Sequence, residues 1–427
     1  MSEPATNLVQ IEKPVYGGEF LARVEGKAVF VPLVLPGEQV RARIIDEKQG
    51  YAKAEAVEIA VASQKRVAPV CPYFGTCGGC DYQHTDYETQ IGLKKEILRE
   101  TLERAQVRPP EEIAVLAAEP WGYRNRIRVA LDARGNAGYR GRRSHGIVPI
   151  SECPIAAPLL VKAALAAAEL FGALSAAERP AEISLFCNAD ESALLATIVT
   201  AHPAKARAED FARGMSERIA ELAGVEFVTE GLPGRQSRTV GRWGKNSLRY
   251  RAAGFDYRVD HGAFFQVNRW LVDALVDRVT NADRGVLSWD LFAGVGLFAR
   301  KLAEHFDRVI AVESAPATTA ALKENLKGTS GEEVQADALA FLRRQGTKRR
   351  PDLIVVDPPR TGLGKEMTAL LGEAGAPGLV YVSCDPATLA RDLRPLIASG
   401  YVIDSMTLAD LFPQTFHLET VVRMRRA

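Results

Sequence analysis

Long apolar runs are missing from this chain, and none reaches the roughly 20 residues that a bilayer-spanning helix requires. The opening residues, MSEPATNLVQIEKP, lack a basic segment followed by an apolar core, so the expectation is a cytoplasmic protein with no membrane partner. Neither charge sign is in excess: 54 Lys and Arg stand against 53 Asp and Glu. Any contact with a polyanion must therefore come from local patches. Cysteine is scarce. Six in 427 residues, without a secretory segment, argue against a disulfide framework and for metal ligation or catalysis. Internal repeats and low-complexity tracts are also absent, which leaves a globular protein of two or three domains.

What is present divides into three parts. Residues 1–60 read as five short strands, Leu8–Lys13, Glu19–Val24, Ala28–Leu35, Glu38–Asp46 and Tyr51–Ile59, separated by Gly17-Gly18, Gly26, Pro36-Gly37 and Gly50. Five strands in so short a span suit an oligonucleotide-binding (OB-like) barrel or another small β-domain. Residues 61–261 are mixed α/β: a cysteine-rich loop, a helix at Thr89–Ala105, the alternating strand YRNRIRVALD and an alanine-rich helix at Leu159–Phe171. In residues 262–427 the apolar runs VLSWDLF, RVIAVES, EVQADA, DLIVVDPP and GLVYVSC alternate with helical stretches. That rhythm predicts a doubly wound parallel sheet.

Within that sheet, DLFAGVGLFARKLA puts Gly294 and Gly296 in a strand-to-helix turn, where a missing Cβ lets a ligand approach the backbone. Glu313 ends the next strand 23 residues after Asp290, the place from which a carboxylate receives ribose hydroxyls. Asp337 and Asp357 end the third and fourth strands, so four carboxylates converge on the crevice where open sheets bind ligands. A helix-capping role is the alternative for each. A dinucleotide also fits the turn, because Ala299 keeps the third glycine position small.

Cys384 ends the fifth strand just before a helix at Asp385–Leu393, whose dipole is expected to lower the thiol pKa and make a nucleophile; a buried core cysteine is the alternative. His417 and Glu419, in FPQTFHLETVV, offer an acid or base on an extended segment. Cys71, Cys77 and Cys80 with the remote Cys153 form a four-thiolate set that suits structural zinc or an iron–sulfur cluster equally, while Cys187 reads as core. Arg124, Arg126 and Arg128 alternate along one strand face, with Arg140, Arg142 and Arg143 following. They form either a phosphate-binding stripe or a solvated face paired with carboxylates. Phe264 or Phe265 could stack on RNA or on a cofactor, or belong to the core.

DLFAGVGLF, VVDPPRTGL, YVSCDPATLARDL and DLFPQTFHLETV, in this order, resemble the RNA uracil-5-methyltransferase family over nearly the whole chain. The last two motifs are far more specific than the glycine turn. The resemblance implies a Rossmann-like class I methyltransferase domain, an N-terminal TRAM barrel of the kind carried by ribosomal-RNA members, and transfer of a methyl from S-adenosylmethionine to C5 of a uridine. It further implies Cys384 as nucleophile and Glu419 as base. Cofactor contacts are implied from Gln266, Phe292, Glu313, Asp337 and Asp357 beside the glycine turn of Gly294 and Gly296. A [4Fe-4S] cluster is implied on Cys71, Cys77, Cys80 and Cys153. Where some members place an asparagine in the glycine turn, this chain has Leu297.

The expected substrate is a loop or single-stranded uridine, in 23S ribosomal RNA, acted on by a monomer. Competing readings are a transfer-RNA uracil methyltransferase, an iron–sulfur RNA-binding protein without turnover, and an amino-group methyltransferase. The joint presence of Cys384 and Glu419 weighs against the last two.

Overall fold

The structure is a computed structural model and describes residues 6–172, 174–175, 178–200, 205–229, 238–345 and 348–426. Strands β1 (Thr6–Val15), β2 (Glu19–Val24), β3 (Lys27–Pro32), β4 (Gln39–Glu47) and β5 (Tyr51–Val61) close into a barrel in the order β1-β2-β3-β5-β4. Period-two alternation builds it: along β4, Val40 and Ala42 enter the core while Arg41 and Arg43 face out. Gly17 and Gly18 take φ of +108° and +79° at the β1–β2 turn, values that glycine adopts without steric cost. Tyr82 and Leu93 fill one side of the barrel core and join it to the rest of the chain.

Helix α1 (Tyr87–Arg104) starts at Asp86, whose carboxylate accepts the Thr89 N–H at 2.8 Å. The short β6 (Ala114–Leu116) then crosses to the C-terminal sheet and pairs in parallel with its edge strand, so residues 114–116 of the expected central block belong structurally to the last domain. The central sheet comprises β7 (Arg126–Leu131), β8 (Ala137–Arg140), β9 (Ile147–Pro149), β10 (Glu182–Cys187), β11 (Leu194–Thr200), β12 (Leu222–Thr229) and β13 (Arg238–Gly244). Their order is β13-β12-β11-β10-β7-β8-β9. Helices α2 (Pro158–Gly172) and α3 (Lys205–Arg218) share its core, with Ala164 and Met215 packing among Ile127, Val129 and Ile198. Cys187 is fully buried there, as expected.

A hairpin, β14 (Ser247–Ala252) and β15 (Phe255–Asp260), leads through α4 (Val272–Thr280) into the C-terminal domain. That domain runs β16 (Gly285–Leu291), α5 (Leu297–Leu302), β17 (Phe306–Glu313), α6 (Pro316–Leu326), β18 (Gly331–Gln335), α7 (Ala338–Gln345), β19 (Leu353–Val356), α8 (Gly364–Ala374), β20 (Gly378–Ser383), α9 (Pro386–Ala398), β21 (Tyr401–Ala409) and β22 (Glu419–Arg426). Strand order is β18-β17-β16-β19-β20-β22-β21-β6, parallel from β18 to β20, with β22 antiparallel to both of its neighbours. β19, Leu353-Ile-Val-Val356, is buried throughout, as a strand covered on both faces must be. The order reverses between β16 and β19, and a ligand crevice opens at such a switch point, beyond the strand C-termini. Among the described residues no helix is long and apolar enough to cross a membrane.

Candidate active site

After β16 the chain turns sharply: Phe292, Gly294 and Gly296 all have positive φ, +67°, +55° and +90°. The two glycines do different work. A Cβ on Gly296 would sit 2.7 Å from Leu322, so this position is needed for packing against α6, whereas a Cβ on Gly294 would meet nothing within 4 Å and faces open space. Glu313, at the end of β17, reaches back into the turn, accepting the Gly294 N–H at 3.0 Å and the Ala315 N–H at 2.7 Å. One cavity brings together Gln266, Phe292, Gly294 and Asp357 with Phe264 and Phe265. Leu297 also lines it, buried as the first residue of α5. Asp337 stands outside that group: it is exposed two residues past β18 and accepts the Ala340 N–H at 3.0 Å, capping α7. Asp290 is fully buried beneath the turn. Burial, with the carboxylates of Asp357 and Glu313 nearby, raises its pKa to about 8 against a weaker opposing pull from the Ala299 N–H.

The reacting end lies at the next strands. Cys384 directly follows β20, and Glu419 opens β22. The antiparallel register of these strands runs to Ser383 opposite Thr420, so one further step places Cys384 opposite Glu419. Burial, and then the Asp357 carboxylate, hold the Glu419 pKa well above the ordinary range, with Arg360 opposing. Asp357 rises to about 7 through burial.

The expectation of a lowered thiol pKa fails. Cys384 is pushed up to about 12, first by burial and then by Glu419 and Asp357. The helix cannot compensate, because the Asp385 side chain already takes the Ala387 and Thr388 N–H groups at 3.0 and 2.9 Å. His417 is not on an extended strand but in the loop between β21 and β22. Burial and the cations Arg360, Arg124 and Lys94 lower it to about 3, so it stays neutral at physiological pH.

Two residues escaped sequence reasoning. Arg360, after Asp357-Pro-Pro, donates to His417 Nδ1 at 3.1 Å and is the cation that opposes the raised pKa of both Cys384 and Glu419. Its loop is clamped by buried Asp392, which accepts the Leu363 N–H at 2.6 Å and the Tyr381 hydroxyl at 3.0 Å. Tyr16, from the barrel, donates to the Cys384 carbonyl at 3.3 Å and packs edge-on to Phe416. An arginine inside VVDPPRTGL was visible as a charge next to a motif; nothing local marks Tyr16.

Cys71, Cys77, Cys80 and Cys153 are free thiols lining one cavity of about 530 Å³, which extends to Phe264, Gln266 and His417. Burial raises the first three, Cys80 to about 12, and the thiols reinforce one another. Among the described residues no three His, Cys, Asp or Glu side chains are grouped as a single metal ion would need. The four thiols on one cavity are the donor type of zinc and of iron–sulfur sites alike. Of the arginine stripe, Arg128 and Arg143 pair with Glu182 and Glu19 as the solvated, carboxylate-paired alternative has it, whereas Arg142 pairs with the buried Asp81. Arg124 lies outside β7, against the Tyr123 and Phe412 rings. Arg126 stacks on Phe186 with no carboxylate at ion-pair distance among the described residues, and burial lowers it to about 10. Phe264 is 65% exposed at the cavity mouth, while Phe265 packs into the aromatic cluster of Phe186 and Tyr250.

Residues 242–427 match the family described as tRNA (Uracil-5-)-methyltransferase, and residues 5–57 match the TRAM domain. The chain is 35% identical to an uncharacterized RNA methyltransferase of Streptomyces avermitilis, covering 98% of both chains. It is 32% identical to the 23S rRNA (uracil(1939)-C(5))-methyltransferase of Halomonas elongata, covering 99% of this chain and 89% of the other.

The chain belongs to the RNA uracil-5-methyltransferase family.

Members are S-adenosylmethionine-dependent methyltransferases, and the open face of Gly294 between Gln266 and Asp357 is suited to hold that cofactor. The fold agrees with the crystal structure of the Pyrococcus abyssi tRNA (uracil-54, C5)-methyltransferase in complex with S-adenosyl-L-homocysteine. Against it the TM-score is 0.79 at 24% identity, over 97% of this chain and 99% of the other.

Proposed function

We propose that this protein methylates C5 of a uridine in 23S ribosomal RNA, with Cys384 as covalent nucleophile and Glu419 as base. The observation that carries the reading is the apposition of Cys384 and Glu419 across β20 and β22, at the edge of the crevice that contains Asp357. Bound S-adenosylmethionine supplies an electrophilic methyl on sulfur. Gln266, Phe292, Gly294, Gly296, Glu313, Asp337 and Asp357 form its seat, Gly296 and Asp337 by shaping the turn and the α7 terminus.

Uracil C5 is a poor nucleophile until a group adds at C6. The Cys384 sulfur, its proton lost to water, bonds to C6, and the C5–C6 π pair shifts toward the C4 carbonyl. C5 would then bond to the methyl carbon as the S–CH3 bond breaks, its electron pair staying on the sulfur, which leaves as a neutral thioether. Glu419 takes the C5 proton, the C5–H pair re-forms the C5–C6 double bond, and the C6–S bond breaks to return the sulfur to Cys384. Glu419 acts as the base in its ionised form, so its own proton, like that of the thiol, goes to water before that step, with Arg360 favouring the carboxylate.

Ribosomal RNA as target is supported by the relatives named for it at 32 and 33% identity and by the TRAM match. A [4Fe-4S] cluster on Cys71, Cys77, Cys80 and Cys153 belongs to the same reading. Arg126 and exposed Phe264 line one cavity, where in this reading they supply the charge and the ring that a displaced RNA strand takes up. Tritium release from C5-labelled uridine in ribosomal RNA, dependent on S-adenosylmethionine, tests the reaction. Methylation without tritium release would overturn it.

A further inference from the structure

The chain reaches Glu419 through a loop, Asp410 to Leu418, whose centre is Gln414, 2% exposed and at φ +68°. Separate parts of the protein converge there. From α1, Gln90 Nε2 donates to Gln414 Oε1 at 2.9 Å, and Gln90 Oε1 accepts the Gln414 N–H at 3.0 Å. From the loop just after Cys80, the N–H groups of Asp81 and Tyr82 both donate to the Gln414 carbonyl, at 2.8 and 3.0 Å. The Asp81 carboxylate also accepts the Phe416 N–H at 3.3 Å and is itself held by Arg142 at 2.6 Å. Tyr123 donates to the Pro413 carbonyl at 3.0 Å. These groups are buried, where a broken hydrogen bond is not cheaply replaced by water.

Cys384 is held by other means: its strand β20, the Asp385 cap and the Tyr16 hydroxyl. β20 and β22 hold the two residues side by side and Tyr16 also packs on Phe416, but the loop into Glu419 has this further set of bonds to α1 and the cysteine-bearing loop. We infer that Gln414 is a positioning residue for Glu419, a left-handed joint through which α1 and the cysteine-bearing loop set the base at the entry to β22. The inference rests on the roles proposed above for Cys384 and Glu419. Its consequence is selective: loosening the joint slows proton removal and release of the RNA while leaving addition and methyl transfer largely intact.

Backbone and side chain can be separated at Gln414. Glycine accepts φ +68° and keeps the N–H and carbonyl bonds, whereas β-branched valine resists that conformation. In single-turnover assays with S-adenosylmethionine and ribosomal RNA, Gln414→Val and Gln90→Ala are expected to form methylated adduct within about twofold of the wild-type rate and to release it about tenfold more slowly. Gln414→Gly is expected to release it within about threefold of wild type, the backbone bonds being retained. Unchanged affinity for S-adenosylhomocysteine shows that the crevice is still folded. The inference is overturned if Gln414→Val releases RNA as fast as wild type, or if Gln90→Ala slows addition and release equally, as a general loss of structure would. A wild-type enzyme that forms no adduct at all would instead sink the proposed mechanism, so the two failures are distinct.

Discussion

Cys384 and Glu419 face one another one step beyond the Ser383–Thr420 pair, the last in the antiparallel register of β20 and β22. Opposed residues in such a pair hold their Cβ atoms about 5 Å apart, a separation that suits groups acting on adjacent carbons of one ring. The strand pair fixes that spacing, and burial with Asp357 keeps both groups reluctant to ionise. The protein alone thus holds both groups in their neutral forms.

The same burial makes stability depend on pH. Asp290, fully buried, has a folded pKa of about 8 against a usual 3.8, so the folded state holds a proton that the unfolded chain releases. A raised pKa contributes stability fully below the unfolded value and loses it as pH rises through the folded one. Between about pH 4 and 8 the cofactor-free protein should lose on the order of 1.4 kcal/mol per pH unit from this group. Asp290→Asn, which mimics the protonated acid, should remove about that slope. Urea unfolding at pH 5, 6 and 7 measures it; parallel slopes for the two proteins would show that Asp290 is ionised throughout.

Glu313 and Asp337 should separate as ligand and cap. Glu313→Ala removes acceptors from the Gly294 and Ala315 N–H groups as well as a partner for ribose, so affinity for S-adenosylhomocysteine should fall by about 1 to 3 kcal/mol. Asp337→Ser preserves a capping oxygen for α7. Stability should hold while affinity falls less than for Glu313→Ala. Calorimetric titration with S-adenosylhomocysteine decides both, and equal affinities for the two variants would reverse the assignment.

Anaerobically purified protein should be brown, and Cys153→Ser should bleach it, because the remote fourth thiol lines the same cavity as Cys71, Cys77 and Cys80. Metal analysis is the check. A colourless protein with one stoichiometric zinc would exclude the cluster and leave the proposed methyl transfer intact.

The sheet was legible because its strands are buried on both faces: Leu353-Ile-Val-Val356 could hardly be anything else once Asp357 and two prolines followed it. Gly294 and Gly296 were legible as a turn, but their division into an open face and a packing contact depends on Leu322, 26 residues beyond Gly296, which only the fold brings close. The Cys384 pKa was misjudged for a related reason. A helix N-terminus can be read from Asp385-Pro386, whereas the burial that dominates the thiol, and the Glu419 and Asp357 carboxylates that add to it, arise only once other strands pack around it. Tyr16 lies 368 positions from its Cys384 partner, and Gln90 lies 324 from Gln414. Pairings at that separation carry no periodicity, so no local pattern announces them.

The order of bond making gives the sharpest prediction, because Cys384 and Glu419 act on opposite sides of a covalent intermediate. Cys384→Ala lacks the sulfur that adds to C6, so neither methylated uridine nor protein–RNA adduct should form. Glu419→Gln keeps an amide of similar shape in the buried position and removes the base. Addition and methyl transfer remain possible there, and loss of the carboxylate relieves one of the charges that raise the Cys384 pKa. The methylated adduct should therefore accumulate, visible as a slow band on a denaturing gel that survives boiling in detergent and disappears on RNase digestion. In the double variant the band should be absent, since an adduct that persisted would have formed through another residue. Normal turnover by Glu419→Gln would move the base elsewhere, and residual methylation by Cys384→Ala would remove the covalent mechanism altogether.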